Sequence, residues 1–301
     1  MSFELGIALG GGGVRGLANI GVIQALQDAG IIPDVIAGTS MGAIVGALFA
    51  DTLDIGKTHE VLCGTLGSEE FQKKARRLSA SSDAEKGLFD QIYGKAKKGY
   101  LFYRFLFMKS MIPVEAFFAE MDDFIPDKDF SELKRPFACV ALDIVSGYPE
   151  ILRSGSLRQA VRASSSVPGM LPPVEMGARR YVDGGWAERV PVSAARFLGA
   201  DFVIGVDVSR EISPLKYEED IKNSLDVLVR ADDIARSLMN TLRIRDADFV
   251  VYPEVGDADW SDFGNIEEYI VSGRRAATRA VPALKRAILA RRIKGLLWRK
   301  R

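Results

Sequence analysis

Val35-Ile36-Ala37-Gly38-Thr39-Ser40-Met41-Gly42 is followed directly by the Ala-rich run Ala43–Ala50. Val35–Ala37 is short, apolar and β-branched, and so reads as a buried strand. The Ala-rich run reads as a helix. Between them stands a G-x-S-x-G turn, which lifts a serine hydroxyl off the end of a sheet and places it at a helix N-terminus. The same plan appears just upstream. Leu5–Leu9 is an apolar run closed by Gly10-Gly11-Gly12-Gly13, and Leu17–Ala29 has helical spacing with Gly30 as its stop. Strand, glycine turn, helix, taken twice, predicts an α/β fold whose central sheet is mostly parallel and sandwiched by helices.

Further along, Phe137–Ile144 pairs with Tyr148–Leu152 as a hairpin around Gly147, and Val174–Met176 with Arg179–Val182 around Gly177. Leu157–Ala163 is a short helix, and Asp201–Val208 a further buried strand. Residues 217–245 and 265–294 read as long helices around the strand Phe249–Tyr252. The expected division is a catalytic core over 5–205 and a helical C-terminal extension over 206–301.

The 301 residues carry 40 basic and 40 acidic side chains, so no overall field recruits nucleic acid. The charge is uneven, however. Residues 86–109 hold six Lys/Arg against Asp90, and 284–301 hold eight with no acid, which leaves the remainder net acidic. Cys63 and Cys139 have no metal-ligand spacing, so neither a metal site nor a disulfide scaffold is expected. No apolar stretch approaches the ~20 residues of a membrane span, and the N-terminus has no secretory pattern. The expected location is cytoplasmic, with at most peripheral membrane contact.

A nucleophilic serine needs a base. The chain's one histidine, His59, sits in a polar helix, and no histidine occurs late in the sequence. A Ser-His-Asp triad in α/β-hydrolase order is therefore excluded. Asp183, ahead of Gly184-Gly185 at a strand end, is the best substitute, although Asp-Gly-Gly is also an ordinary turn composition. The loop Gly10–Gly16 offers backbone N–H groups to an anion. It suits either an oxyanion hole or, through Gly11, Gly13 and Gly16, a dinucleotide pyrophosphate. The dinucleotide alternative wants an acid after the second strand, but Asp34 precedes that strand. A phosphate P-loop fails because Leu17 stands where lysine is required.

Gly11-Gly12-Gly13-Val14-Arg15-Gly16, then Gly38-Thr39-Ser40-Met41-Gly42, then Asp183-Gly184-Gly185, in that order, resembles the patatin-like phospholipase family. Ala163-Ser164 with Pro168 is similar to a further element of that family. The resemblance spans about residues 5–205. It implies a three-layer fold and a cofactor-free serine acyl hydrolase acting on phospholipid or lysophospholipid esters. Ser40 would be the nucleophile and Asp183 its base. Gly11, Gly12, Gly13 and Arg15 would lie at the oxyanion loop, with Gly38, Gly42, Gly184 and Gly185 shaping the turns. A non-catalytic lipid-binding scaffold on the same fold is the alternative.

Tyr100–Met108 is apolar on nearly every side and follows Lys95, Lys97 and Lys98. Leu101, Phe102, Phe105 and Phe107 therefore suit a cap over an acyl pocket, a wedge into lipid, or a self-association face that would make a homo-oligomer. In the tail, Leu289, Ile293, Leu296 and Leu297 form one helical stripe with Arg291, Arg292 and Lys294 beside it. That pattern fits an interfacial helix or a solvated helix end.

Overall fold

The computed structural model describes residues 3–69, 71, 121–122, 124–210, 212–215, 221, 224–256 and 263–298. The basic, aromatic segment 86–112 lies outside the described residues.

Strand β1 (Leu5–Leu9) leads through a 3-10 turn, Gly13–Leu17, into helix α1 (Ala18–Asp28). Strand β2 (Val35–Gly38) leads into α2 (Met41–Thr52), which α3 (Ile55–Leu66) follows. The hairpin β3 (Phe137–Asp143) and β4 (Tyr148–Leu152) precedes α4 (Leu157–Ser164). A second hairpin, β5 (Val174–Met176) and β6 (Arg179–Asp183), precedes the short α5 (Val192–Phe197). Then come β7 (Phe202–Val206), α6 (Ser224–Arg243), β8 (Phe249–Val251) and α7 (Ile266–Trp298). The expected strands and long helices are present among the described residues, with α7 running further than the sequence pattern suggested; most of 217–223, where the first long helix was expected to begin, lies outside the described residues.

One sheet holds all eight strands. Its parallel part runs β3-β2-β1-β7-β8, with the hairpin strands added antiparallel on β3. Alternation along β1 builds the layers. Leu5, Ile7 and Leu9 point into a core with α1, α2 and α7, while Ala8 points to the other face, where small Ala and Val side chains pack on α5. The C-terminal part contributes to this body: β8 pairs β7, and α7 lies across α1. That crossing is close. A Cβ at Gly21 would lie 1.8 Å from the Ile270 carbonyl oxygen, and one at Gly273 only 1.9 Å from that of Ala18.

One detail of the sheet positions the site. Backbone groups of alternate residues face the same edge of a strand. The Pro136 carbonyl accepts from Ile36 in β2, and the Ile144 N–H donates to Arg180 in β6. Both are even-numbered, so β2 and β6 occupy one edge of β3 in succession, while β4 takes the other. Gly38 is in register with Cys139, and Asp183 with Ala141. The end of β6 thus meets the end of β2, at about 7 Å along the strand by its rise per residue.

Candidate active site

Ser40 occupies the bend between β2 and α2 with φ 55° and ψ −124°. Among the described residues only Ser40 and Leu53 combine a side chain with positive φ. Such backbone costs roughly 1–3 kcal/mol and is held by its surroundings. Close approach does the holding here. A Cβ at Gly42 would lie 2.1 Å from the Leu9 carbonyl oxygen, and one at Gly38 2.4 Å from that of Gly42. The flanking glycines are therefore demanded by packing. The Thr39 hydroxyl donates to the Glu188 carbonyl at 3.0 Å, tying the bend to the chain after Asp183.

The Ser40 N–H donates to the Ser164 hydroxyl at 3.1 Å, and that hydroxyl donates to the Val140 carbonyl at 2.7 Å. Ser164, at the end of α4, thereby links the bend to β3. Ser164→Ala strands the Ser40 N–H and the Val140 carbonyl in a buried setting. The expected cost is about 1–3 kcal/mol of stability, read from urea unfolding.

Asp183 ends β6 with 3% of its surface exposed. Its N–H donates to the Ser166 carbonyl at 2.8 Å, and its Oδ1 accepts from the Gly185 N–H at 2.7 Å. Burial pushes its pKa up to about 6; hydrogen bonds from the Ser40 hydroxyl and Gly185, and the charges of Arg189 and Arg236, restrain the rise. Gly184 lets the chain pass β3, since a Cβ there would sit 2.2 Å from the Val140 carbonyl oxygen.

Ser40 and Asp183 line one cavity of about 410 Å³ together with Gly11, Gly12, Gly13 and Arg15. The four loop residues differ in what they offer. The Gly11 N–H donates to the Arg189 carbonyl at 3.0 Å, so Gly11 serves as a close-packed spacer under Ser40. Arg15 donates through Nε to the Gly12 carbonyl at 3.2 Å and so braces the loop. Among the described residues, the N–H groups of Gly12 and Gly13 have no acceptor. Asp34 lies at the opposite end of β2, where it accepts from the Leu5 N–H at 2.9 Å. The ribose carboxylate that a dinucleotide site requires is thus not at the glycine loop.

Three arginines of the cavity, with Trp186 and Asp233 beside them, escaped the sequence reading. Arg189 is largely buried, donates to the Ser209 hydroxyl at 3.1 Å, and has its pKa lowered by desolvation and by Arg236. Arg236, from α6, lies over the Trp186 ring at 4.4 Å and pairs with Asp233 at 2.5 Å. Arg210 faces Asp233 at 3.6 Å. Arg189 and Trp186 lie within six residues of Asp183, which is the signal that could have marked them.

His59 contributes nothing to this cavity; its Nε2 meets Glu267 Oε1 at 2.9 Å. With Cys63 these two form the grouping of metal-ligand type found among the described residues, and none of the three lines the cavity. Leu101, Phe102, Phe105 and Phe107 lie outside the described residues. In the tail, Leu289 and Ile293 are exposed, while Arg292 lies over Phe3 at 4.8 Å. No helix among the described residues is long and apolar enough to cross a membrane.

An uncharacterized NTE family protein of Mycobacterium tuberculosis (strain H37Rv) is 30% identical over 93% of this chain and 47% of its own length. The chain therefore spans about half of that relative. Patatin-like phospholipase domain-containing protein 6 of Homo sapiens is 30% identical over 69% of this chain and 13% of its own. The crystal structure of VipD from Legionella pneumophila superposes with a TM-score of 0.50 at 15% identity, covering 94% of this chain and 67% of that one, and shows the shared fold. The sequence model of the patatin-like phospholipase family matches residues 7–196, and the chain belongs to that family.

Proposed function

We propose that the protein is a serine hydrolase of lipid acyl esters, of phospholipid or lysophospholipid type, working through a Ser40–Asp183 dyad. The observation that carries this reading is a buried carboxylate with a raised pKa, hydrogen-bonded by a hydroxyl on a strained bend in the same cavity. At a pKa of about 6 the carboxylate is about nine-tenths ionised at pH 7 and a better base than a free aspartate. Ser40 Oγ attacks the ester carbonyl carbon while its proton passes to Asp183. The Gly12 and Gly13 N–H groups, with the start of α2, face the developing oxyanion. As the carbonyl re-forms, the ester C–O bond breaks and the leaving alkoxide takes the proton from Asp183. Water then attacks the acyl-enzyme and gives a proton to Asp183. Ser40 recovers that proton as the fatty acid departs.

A fluorophosphonate probe followed by peptide mapping tests the nucleophile. The label is expected on Ser40, and Ser40→Ala is expected to lower kcat about a thousandfold or more. An unlabelled Ser40 in protein that turns over lipid ester would end the proposal. Liposome binding retained in Ser40→Ala, with no turnover by the parent, would favour the non-catalytic lipid-binding scaffold.

A further inference from the structure

Helix α6 is inside out. Its inward positions are polar: Asp226, Arg230, Asp233, Arg236, Asn240 and Arg243 are buried or half-buried. Its outward stripe is apolar. Leu228, Leu238 and Leu242 are 66%, 62% and 59% exposed, flanked by Val227, Ile234 and Met239, with two alanines between. A surface helix ordinarily does the reverse. From residue 227 to residue 242 the stripe runs about 22 Å at the helical rise. No charged residue falls within it; its hydroxyls are Ser224 at its start and Thr241 at its edge, and the Thr241 hydroxyl donates back to the Ser237 carbonyl at 3.0 Å. The inward face of the same helix forms a wall of the Ser40 cavity through Asp233 and Arg236, and the exposed Val229 joins that wall to the outer surface.

We infer that α6 docks on a lipid–water interface, laying its apolar stripe among acyl chains and its polar face toward the cavity. A protein partner wants a hydrogen bond per 100–200 Å² within the contact, and the Thr241 donor is already spent on its own helix. Acyl chains want none. Continuity with the cavity gives the docking its use, because a lipid leaving the interface beside α6 meets Val229 and then the wall that leads to Ser40. The inference rests on the hydrolase reading for that use, while the apolar surface stands without it.

The test is cosedimentation with phosphatidylcholine vesicles, with Ser40→Ala as parent so that no lipid is consumed. In that background the combined Leu228→Ser, Leu238→Ser and Leu242→Ser substitutions are expected to lower the vesicle partition about tenfold or more, at low and high salt alike. Leu238→Asp alone reads the same surface should the triple variant not fold. With Ser40 restored, the triple variant is expected to hydrolyse a dispersed short-chain ester within about twofold of the wild-type chain. An unchanged partition in both variants overturns the inference. So does a wild-type dimer that the triple variant converts to monomer without altering vesicle binding, which would assign the stripe to a second copy. Absence of short-chain ester hydrolysis by the wild-type chain would instead count against the hydrolase reading, and the vesicle result would still decide the role of α6.

Discussion

Asp183→Asn is expected to abolish ester turnover and to raise thermal stability in the same protein. The folded-state pKa of about 6 lies above the ordinary value of 3.8, with burial as the leading cause. The native state therefore holds its proton more tightly than the unfolded chain. The stability this lends is fully present below the unfolded value and is lost as pH rises through about 6. At pH 8 the native state keeps a buried charge that costs about 3 kcal/mol relative to the unfolded chain. Asparagine carries no charge at any pH, and its side-chain oxygen can still accept from the Gly185 N–H. Its gain in melting temperature should be largest near pH 8 and vanish near pH 4. In the parent, activity should fall as pH drops through about 6, as the base takes up its proton. Full activity in the variant would remove Asp183 from the chemistry. An unchanged melting temperature at pH 8 would remove the desolvation argument.

Gly273→Val is expected to be among the most damaging substitutions outside the cavity. Gly21 and Gly273 let α1 and α7 touch backbone to backbone, and each position leaves under 2 Å between a Cβ and a carbonyl oxygen of the facing helix. Backbone cannot rotate away as a flexible side chain would, so the helices must separate and strip the shared core that includes Ile20, Ile23, Ile270 and Ala277. A loss of about 3 kcal/mol or more is expected from denaturant unfolding, with α7 cut earlier in limited proteolysis. Gly295 in the same helix is the control. Nothing lies within 4 Å of a Cβ there, so Gly295→Ala should be neutral or stabilising by up to about 1 kcal/mol. Equal effects at both positions would refute the close-packing account.

The parts legible in the sequence were those whose physics is local. An apolar run with a glycine turn and an Ala-rich segment announces β2, the Ser40 bend and α2 without outside help. The Gly147 and Gly177 hairpins are similarly self-contained. The meeting of Ser40 and Asp183 is not local: it depends on β2 and β6 sharing an edge of β3, which no periodicity encodes. The resemblance to a family supplied that pairing. Helix α6 shows a second limit. Periodicity separates its two faces but does not say which points inward, and the ordinary expectation would have buried Leu228, Leu238 and Leu242. Gly273 shows a third, since a glycine inside a helix reads as a weakness until the facing backbone is seen.

The shared edge of β3 has a consequence for biosynthesis. The bend bearing Ser40 leaves the ribosome early, whereas the strand bearing Asp183 follows much later and must fold back antiparallel beside it. On the hydrolase reading, a nascent chain, or one truncated before β6, holds the proposed nucleophile without its proposed base. On that reading chemical competence arrives only with completion of the sheet.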